Sequence, residues 1–337
     1  MMETTLKLEE IAKLAGVSKS TVSSVLNGKA EKYRISTETQ ARVLEVVNHH
    51  GYQPNHSAAA LRRGRSHSIG FIVPDFENRS YLRIAKRLEA LARSNGFQLI
   101  ISSSDDDRTT ELQAARNLVA RGVDALLVSS CVDDDAELYG DMVRQGTPVI
   151  ALDRPLPDSF SNVISDDEQG AFELTSSLKL PGDAHVALFG ALPSLTVSQR
   201  REAGFRRALE HLPAQQVHCF YGAHFDSSNG IQLLDQAMNR LGKLPDALVT
   251  TSYSLLEGVV ENLQQRAEGN VLQADGSIQL ATFGNSRLLD FLPLPVNSLP
   301  QRYELIAEAA WKLASEAIDG KREPQQIVIN RILQRRA

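Results

Sequence analysis

The sequence predicts an all-α head at the amino terminus, followed by an α/β body of two doubly wound, parallel-sheet lobes. Three observations support this fold class. Apolar residues repeat with helical spacing in residues 1–52, whereas beyond residue 67 short apolar runs alternate with amphipathic stretches of helical length. The length of 337 residues also exceeds the roughly 100–200 residues of one domain. We therefore expect a head (1–52), a hinge helix with linker (53–66) and a body (67–337).

Three helices are predicted in the head. In the first, apolar residues recur at i, i+3, i+4 and i+7, and the stripe consists of Leu8, Ile11, Ala12 and Ala15. Gly16 supplies a turn, and Ser18 is a preferred N-cap for the second helix. The third helix opens at Thr37 and stops at Gly51. Pro54 separates it from a short Ala-rich stretch.

The body reads as alternating strands and helices. Strands are predicted at Ile69–Val73, Phe97–Ile101, Ala125–Ser129, Val149–Leu152, Val186–Phe189, Ala247–Thr250 and Ile278–Phe283. Helices are predicted at Tyr81–Ser94, Thr110–Arg121, Gln199–His211, Gly230–Leu241 and Leu255–Gln265. This alternation indicates βαβ units and parallel sheets covered on both faces. The body is long for one such sheet, so we expect two lobes with a ligand crevice at the carboxyl ends of their strands.

Charge is distributed unevenly along the chain. Residues 1–65 contain ten Lys or Arg against six Glu, a formal charge of +4, within a chain whose total is −5. The remainder therefore carries −9. A basic head on an acidic body is typical of a nucleic-acid-binding module joined to a second function.

Composition excludes several classes of protein. Cys131 and Cys219 cannot form a disulfide framework, so a reducing cytoplasm is the simplest compartment. The amino terminus shows no cationic stretch leading into an apolar one, and no apolar run approaches the roughly 18 residues of a membrane helix. We therefore expect a cytoplasmic protein without a membrane partner.

The run from Leu8 to Asn27 is the most informative segment of the chain. It has the pattern of a helix-turn-helix, in which an apolar-faced helix ends at a Gly turn and a second helix starts with small polar residues and a Lys. The first turn of that second helix can enter the major groove, where Lys19, Ser20 and Thr21 could reach base edges or phosphates. A small helical bundle that binds no DNA is the alternative that periodicity alone leaves open.

The head and hinge resemble the lactose-repressor (LacI–GalR) family of bacterial transcription regulators. The matching segments are Leu8–Asn27, Gly51–Asn55, Ala58–Arg62, Ser68–Asp75, Ala151–Arg154 and Arg201–Phe205. The resemblance implies lobes of the periplasmic-binding-protein type, double-stranded operator DNA as partner, and a homodimer reading a pseudo-palindromic site. The leucine repeat with which members of the family form tetramers is not evident from Ile327 to Ala337, so a dimer, or a homotetramer assembled in another way, remains open. No catalytic residue is expected.

The same resemblance implies a set of DNA-contacting residues. In the head they are Leu8, Ser18, Lys19, Ser20, Thr21, Ser23, Ser24, Asn27, Lys29, Tyr33 and Arg34, and in the hinge Asn55, His56, Ala58, Leu61 and Arg62. By resemblance, Leu61 would be an apolar wedge in the minor groove and Arg62 a phosphate contact. The segment Asn55–Arg63 is too short to be a stable helix alone, so it should order on DNA beside its dimer mate.

The crevice is expected to hold a sugar phosphate. Asp153 and Arg154 follow a buried strand, and Arg201 could clamp a phosphate with two parallel hydrogen bonds. Two arginines in one pocket favour a phosphorylated sugar, although each could instead form an inter-lobe salt bridge. The resemblance points to fructose 1-phosphate, or to fructose 1,6-bisphosphate. Further effector residues at family-matched positions are Asp75, Asn78, Tyr81, Ser103, Ser198, Ser252, Tyr253 and Asn285.

Subgroup features favour a fructose-responsive regulator. Asn27–Arg34, Leu192–Ser198 and Leu288–Leu292 resemble that subgroup, with sucrose-operon repressors as the alternative. One position departs from it. The subgroup has Phe-Gly-Asp near the last pocket strand, whereas this chain has Gly284 followed by Asn285. Without that carboxylate, the cleft lacks one acceptor for a ligand hydroxyl, or one negative charge that would repel a ligand phosphate.

Two other classes of protein are the alternatives to a transcription regulator. A sugar-phosphate-processing α/β enzyme with a helical appendage is one, and a periplasmic-type sugar-binding protein is the other. The helix-turn-helix counts against the second. The acidic runs Asp105–Asp107 and Asp133–Asp135 lack the spacing of a calcium-binding loop, so we interpret them as solvated loop acids and expect neither metal nor cofactor.

Overall fold

The fold was derived from a computed structural model that describes residues 6–52, 65–132, 136–266 and 278–336. The chain divides into two compact units, Met1–Ser66 and His67–Ala337, and each is described by itself. Within the described ranges, no helix is both long and apolar enough to cross a membrane.

The head contains three helices around a small apolar core. They are α1 (Leu8–Leu14), α2 (Lys19–Leu26) and α3 (Thr37–His49). Ile11, Val22 and Val43, one from each helix, are completely buried. Ser18 caps α2 by accepting a hydrogen bond from the backbone N–H of Thr21, at 3.1 Å. The three helices therefore pack on one shared apolar core.

The first lobe of the body, the N-lobe, is built on a six-stranded parallel sheet. Its strands are β1 (Ser68–Val73), β2 (Gln98–Ser103), β3 (Ala125–Val128), β4 (Val149–Leu152), β5 (Ser161–Ser165) and β11 (Gln326–Ile329), in the order β11-β5-β4-β3-β1-β2. Its helices are α4 (Arg79–Ser94), α5 (Arg108–Ala120), α6 (Glu137–Arg144) and α11 (Tyr303–Ile318). Successive residues of β1 point to opposite faces of the sheet. Phe71 packs against α4 and α11, whereas Ile72 packs against α5 and α6.

The second lobe, the C-lobe, has a five-stranded parallel sheet. Its strands are β6 (Val186–Ala191), β7 (Val217–Gly222), β8 (Ala247–Thr250), β9 (Gln279–Phe283) and β10 (Val296–Leu299), in the order β10-β9-β8-β6-β7. Helices α7 (Asp167–Ser176) and α8 (Thr196–Ala208) cover one face, and α9 (Ser227–Leu241) and α10 (Tyr253–Arg266) cover the other. Short 3₁₀ turns occur at Ala214–Gln216 and Arg287–Phe291.

The chain passes between the lobes three times, after β5, after β10 and after β11. In each case it leaves a strand at its carboxyl end, where parallel sheets place their ligand sites. The residues after β11 then add an antiparallel bridge between Gln334 and Ser298, next to the edge strand of the C-lobe. The carboxyl-terminal tail therefore belongs to the C-lobe, although β11 belongs to the N-lobe.

The predicted fold class is confirmed, but sequence patterns missed several elements. Strands β5, β7, β10 and β11 and helices α6, α7 and α11 were not predicted. In β10 the pattern is hidden because Asn297 and Ser298 are polar residues at buried positions. The third helix does begin at Thr37, and its cap is Ser36, whose Oγ accepts from the N–H of Thr39. The predicted hinge helix lies outside the described residues.

Candidate functional site

The first turn of α2 presents polar side chains to solvent. Lys19 and Ser20 are exposed there and Thr21 is half-buried. The Lys19 Nζ lies 2.5 Å from Oε1 of Glu9 on α1, and this hydrogen bond and the lysine charge lower the pKa of Glu9. An exposed ion pair of this kind is weak. A phosphate approaching α2 could therefore replace Glu9 as the partner of Lys19.

The other head residues predicted to contact DNA differ in exposure. Leu8 is half-buried against the apolar core, and Ser23 and Ser24 are half-buried on α2. Asn27, Lys29, Tyr33 and Arg34 are exposed, and so is Ser18, the cap of α2. The predicted hinge contacts Asn55, His56, Ala58, Leu61 and Arg62 lie outside the described residues.

A cleft of about 710 Å³, partly open to solvent, lies between the N-lobe and the C-lobe. Of the predicted effector residues, it brings together Asn78, Tyr81, Asp153, Arg154, Arg201, Ser252, Tyr253 and Asn285. Three others lie elsewhere. Asp75 lines an adjoining recess, Ser103 lies on the surface beside α5, and the buried Ser198 donates its hydroxyl to the carbonyl oxygen of Ala191 at 2.7 Å.

The Asp153 carboxylate, which lines the cleft, accepts hydrogen bonds at both of its oxygens. It follows β4 in a left-handed backbone conformation (φ 65°) and is 7% exposed. Tyr81 on α4 donates to its Oδ2 at 2.8 Å, and Gln301 donates to its Oδ1. The Tyr81 oxygen itself accepts from Ser129 at 2.9 Å. Burial and the charge of Asp153 raise the pKa of Tyr81, so the phenol stays a hydrogen-bond donor.

Two buried arginines share one carboxylate on the opposite wall. Arg201 on α8 donates from Nε to Oδ1 of Asp167 at 2.9 Å, and Arg331 of the tail donates to the same oxygen at 3.0 Å. Both guanidinium groups lie over the ring of Phe283, at 4.6 and 5.2 Å from its centroid. Arg331 also lies 3.8 Å from Oδ1 of Asp153, so these two guanidinium groups lie between two carboxylates.

The third buried arginine is Arg154, which forms an ion pair with Asp106 of the N-lobe. Its side chain is 4% exposed, and its guanidinium lies 5.9 Å from the ring centroid of Phe225 in the C-lobe. Arg154 therefore lies where the two lobes face each other. Its ion pair lies within the N-lobe, so it is not the inter-lobe salt bridge that the sequence left open; only its contact with the Phe225 ring crosses between the lobes.

Three buried polar atoms at the cleft have no hydrogen-bond partner among the described residues. They are Nε of Arg331, Oε1 of Gln301 and Oγ1 of Thr251. Such atoms are costly unless a ligand or water satisfies them. The guanidinium would donate to an anionic oxygen, while the amide oxygen would accept from a hydroxyl. The cleft therefore offers the complementary groups for a molecule with both.

Arg331 and Gln301 are two polar cleft residues that sequence reasoning missed. Gln301 comes two residues after β10 and Arg331 two residues after β11. The rule that ligand-binding groups follow the carboxyl ends of parallel strands would have found both, had those two strands been recognised.

No group of three or more metal-ligating side chains occurs in the part of the chain that the structure describes. Within the predicted acidic loop, Asp107 caps α5 by accepting from the N–H of Thr110 at 2.7 Å. Asp106 is the partner of Arg154. Both carboxylates therefore have partners within the protein.

Comparison with known proteins identifies the family. Residues 7–55 match the family described as bacterial regulatory proteins of the lacI family, and residues 66–329 match the periplasmic binding proteins and sugar binding domain of LacI family. The chain belongs to the LacI family. It is a DNA-binding transcription regulator of sugar metabolism and not an enzyme, which confirms the class predicted from the sequence.

Its relatives include a regulator of a fructose operon. The chain is 50% identical over 314 residues to the fructose operon regulatory protein of Vibrio cholerae, covering 92% of this chain and 93% of that protein. It is 40% identical over 322 residues to the catabolite repressor/activator of Escherichia coli, covering 95% and 94%. A sucrose operon repressor of Klebsiella pneumoniae is 35% identical over 330 residues, covering 97% of each.

A solved structure of a relative contains a ligand. The Cra dual regulator of Pseudomonas putida, in complex with fructose 1-phosphate, is 44% identical and superimposes with a TM-score of 0.76, covering 80% of this chain and 99% of that one. The lac repressor dimer bound to operator shares the fold at 20% identity, with a TM-score of 0.80 and 98% coverage of both chains.

Proposed function

We propose that this regulator binds a pseudo-palindromic operator as a homodimer and is released from it by fructose 1-phosphate. The proposal assigns residues 1–52 to DNA reading, residues 53–66 to a hinge that orders on DNA, and residues 67–337 to effector binding and dimerisation. The protein would act in the cytoplasm, where both DNA and sugar phosphates occur.

One observation carries the effector assignment. Arg201 and Arg331 share Asp167, and Nε of the buried Arg331 has no partner among the described residues. A phosphate would supply the missing acceptor through charge-assisted hydrogen bonds, which are the strong ones. Asp153 and the free Oε1 of Gln301 would accept from sugar hydroxyls. A neutral sugar would leave the arginine donor unsatisfied.

The relatives support the same choice. One of them is named as a fructose operon regulatory protein, and the Cra protein of Pseudomonas putida was crystallised with fructose 1-phosphate. The sucrose operon repressor is more distant at 35% identity. A regulator answering to unphosphorylated fructose is therefore the second candidate, and the buried arginines argue against it.

Release from DNA would follow from binding linkage. Side chains of both lobes line the cleft, so a ligand that contacts both stabilises one relative position of the lobes. If that position prevents the hinges of the dimer from pairing, the effector binds the DNA-free state more tightly. By reciprocity, operator DNA then weakens effector binding by the same factor.

Two measurements test the proposal. Calorimetry should detect fructose 1-phosphate binding and a much weaker response to fructose. Fluorescence anisotropy with a palindromic operator should show weaker DNA binding as fructose 1-phosphate is added. Operator affinity that does not change with saturating sugar phosphate would falsify the release mechanism, and tighter binding of fructose would favour the second candidate.

A further inference from the structure

A carboxylate on α5 is completely buried in the N-lobe, although it does not line the cleft. It belongs to Glu111, in the first turn of that helix. Its Oε1 accepts hydrogen bonds from the hydroxyl groups of Ser130 and Tyr139, at 2.5 and 2.6 Å, and its Oε2 accepts from the backbone N–H of Cys131 at 2.7 Å. All three donors are neutral. Burying a carboxylate against neutral donors costs more than burying a hydrophobic side chain of similar size, which indicates a role beyond packing.

The three hydrogen bonds fix the segment Ser129–Val132, which directly follows β3. An ionised carboxylate has only acceptors, so it can serve two hydroxyl groups and a backbone N–H at the same time. Within the segment, Oγ of Ser130 also accepts from the backbone N–H of Val132 at 2.9 Å. Tyr139 belongs to α6 and is itself completely buried. Glu111 therefore joins α5, α6 and this segment.

Ser129, the first residue of the segment, reaches the effector site. Its backbone N–H donates to the carbonyl oxygen of Ile72 at 3.0 Å, and its hydroxyl group donates to the Tyr81 oxygen at 2.9 Å. Because that oxygen accepts from Ser129, the one proton of Tyr81 is left for Oδ2 of Asp153, at 2.8 Å. Ser129 and Tyr81 are both buried. Hydrogen bonds therefore connect the segment that Glu111 fixes to the carboxylate of the cleft.

We propose that Glu111 is a positioning residue of the effector site, which acts on Asp153 through the segment after β3. Hydrogen bonds in a buried chain strengthen one another. A carboxylate that is already held in one orientation also loses less freedom when a ligand hydroxyl binds to it. This inference rests on the proposed function, in which Asp153 accepts from the hydroxyl groups of the sugar, and it adds a residue outside the cleft to that function.

The substitution Glu111→Gln tests the proposal with a side chain of nearly the same size. The amide replaces one acceptor by a donor. If its NH2 group faces the N–H of Cys131, two donors meet, and if its oxygen faces Cys131, the hydroxyl groups of Ser130 and Tyr139 lose their acceptor. The segment must shift in either case. We expect a lower unfolding temperature, and an affinity for fructose 1-phosphate that falls by about threefold to tenfold in calorimetry.

Asp246→Asn is a matched control for Glu111→Gln. Asp246 also accepts from a backbone N–H, that of His185 at 2.8 Å. It precedes β8 and so lies at the amino ends of the C-lobe strands, whereas the cleft lies at their carboxyl ends. The control should also unfold at a lower temperature, but its affinity for fructose 1-phosphate should stay within about twofold of the wild type.

A double-mutant cycle distinguishes positioning from a purely structural role. Tyr81→Phe removes the hydroxyl group through which the connection passes, and it should itself weaken fructose 1-phosphate. If Glu111 acts through Tyr81, the double variant should bind within about twofold of Tyr81→Phe alone. A purely structural role would add the two losses, and that result would overturn the proposal. Should Glu111→Gln fail to fold, Tyr139→Phe removes one donor to Glu111 and takes its place in the cycle, with the same two outcomes.

The outcomes also separate this inference from the proposed function. If the wild type binds fructose 1-phosphate but Glu111→Gln or Tyr81→Phe binds it equally well, the proposed effector stands and the inference is wrong. If the wild type does not bind fructose 1-phosphate at all, the proposed effector is wrong, and the same cycle measured with fructose tests the inference by itself.

Discussion

Replacing Arg331 by glutamine tests whether the tail supplies a ligand-binding charge. Arg331 donates to Asp167 at 3.0 Å and lies 3.8 Å from Asp153. Asp167 would keep Arg201 at 2.9 Å, and Asp153 would keep Tyr81 and Gln301. No buried carboxylate would lose its last partner, so we expect a stability loss of only about 1–2 kcal/mol.

Effector binding should suffer more than stability. A hydrogen bond to a charged group contributes about 1.5–3 kcal/mol, and each 1.4 kcal/mol is about tenfold in affinity. Loss of one such bond to phosphate would therefore weaken fructose 1-phosphate by about tenfold to a hundredfold in calorimetry. Operator affinity without effector should be unchanged, because Arg331 lies in the body and the DNA-reading residues lie in the head.

Arg207→Gln is a matched control for Arg331→Gln. Arg207 also lies over an aromatic ring, 4.7 Å from the centroid of Phe172, and pairs with Glu168 at 2.5 Å. It is not a lining residue of the cleft. If Arg331→Gln binds fructose 1-phosphate within twofold of the control, the assignment of phosphate binding to the tail is refuted.

Three further predictions concern packing, DNA binding and pH. In Gly204→Ala, the added Cβ would lie 2.0 Å from the carbonyl oxygen of Glu168, so α7 and α8 must separate and thermal unfolding should show a loss of about 3 kcal/mol. Lys19→Gln should weaken operator binding and lower its salt dependence by about one phosphate contact in anisotropy titrations. Burial and the charges of His185 and Arg240 lower the pKa of His218 from its ordinary 6.5. At pH values near and below 6.5 the unfolded chain therefore binds a proton at His218 more readily than the folded protein does. The free energy of unfolding should fall as the pH drops below 6.5, and it should fall less in His218→Gln.

Each of these three predictions has an outcome that would contradict it. Gly182→Ala, where an added Cβ meets nothing within 4 Å, serves as the packing control, and equal stability of the two variants would show that α7 and α8 tolerate the insertion. Glu9→Gln removes the intramolecular partner of Lys19 and should bind operator at least as tightly as the wild type; weaker binding would mean that the ion pair shapes the reading surface. If the wild type and His218→Gln lose the same stability in acid, a group other than His218 is responsible for the loss.

The sequence by itself determined the class of protein and predicted several of the residues that line the cleft. The helix-turn-helix pattern is local, since its cap, turn and apolar stripe all lie between Leu8 and Asn27. The alternation of apolar runs and helices likewise determined the α/β body. Asp153, Arg154 and Arg201 were found because each lies in a short segment that resembles the family, and the first two directly follow a buried strand.

Only the tertiary structure decided how the cleft is completed. Gln301 and Arg331 meet Asp153 although they lie 148 and 178 residues further along the chain, because parallel strands from distant segments end at the same edge. Likewise, no sequence pattern could show which end of the Asn285 amide faces the carboxyl-terminal tail. The residue type offers both a donor and an acceptor, and Arg336, 51 residues later, occupies the acceptor because a guanidinium can only donate.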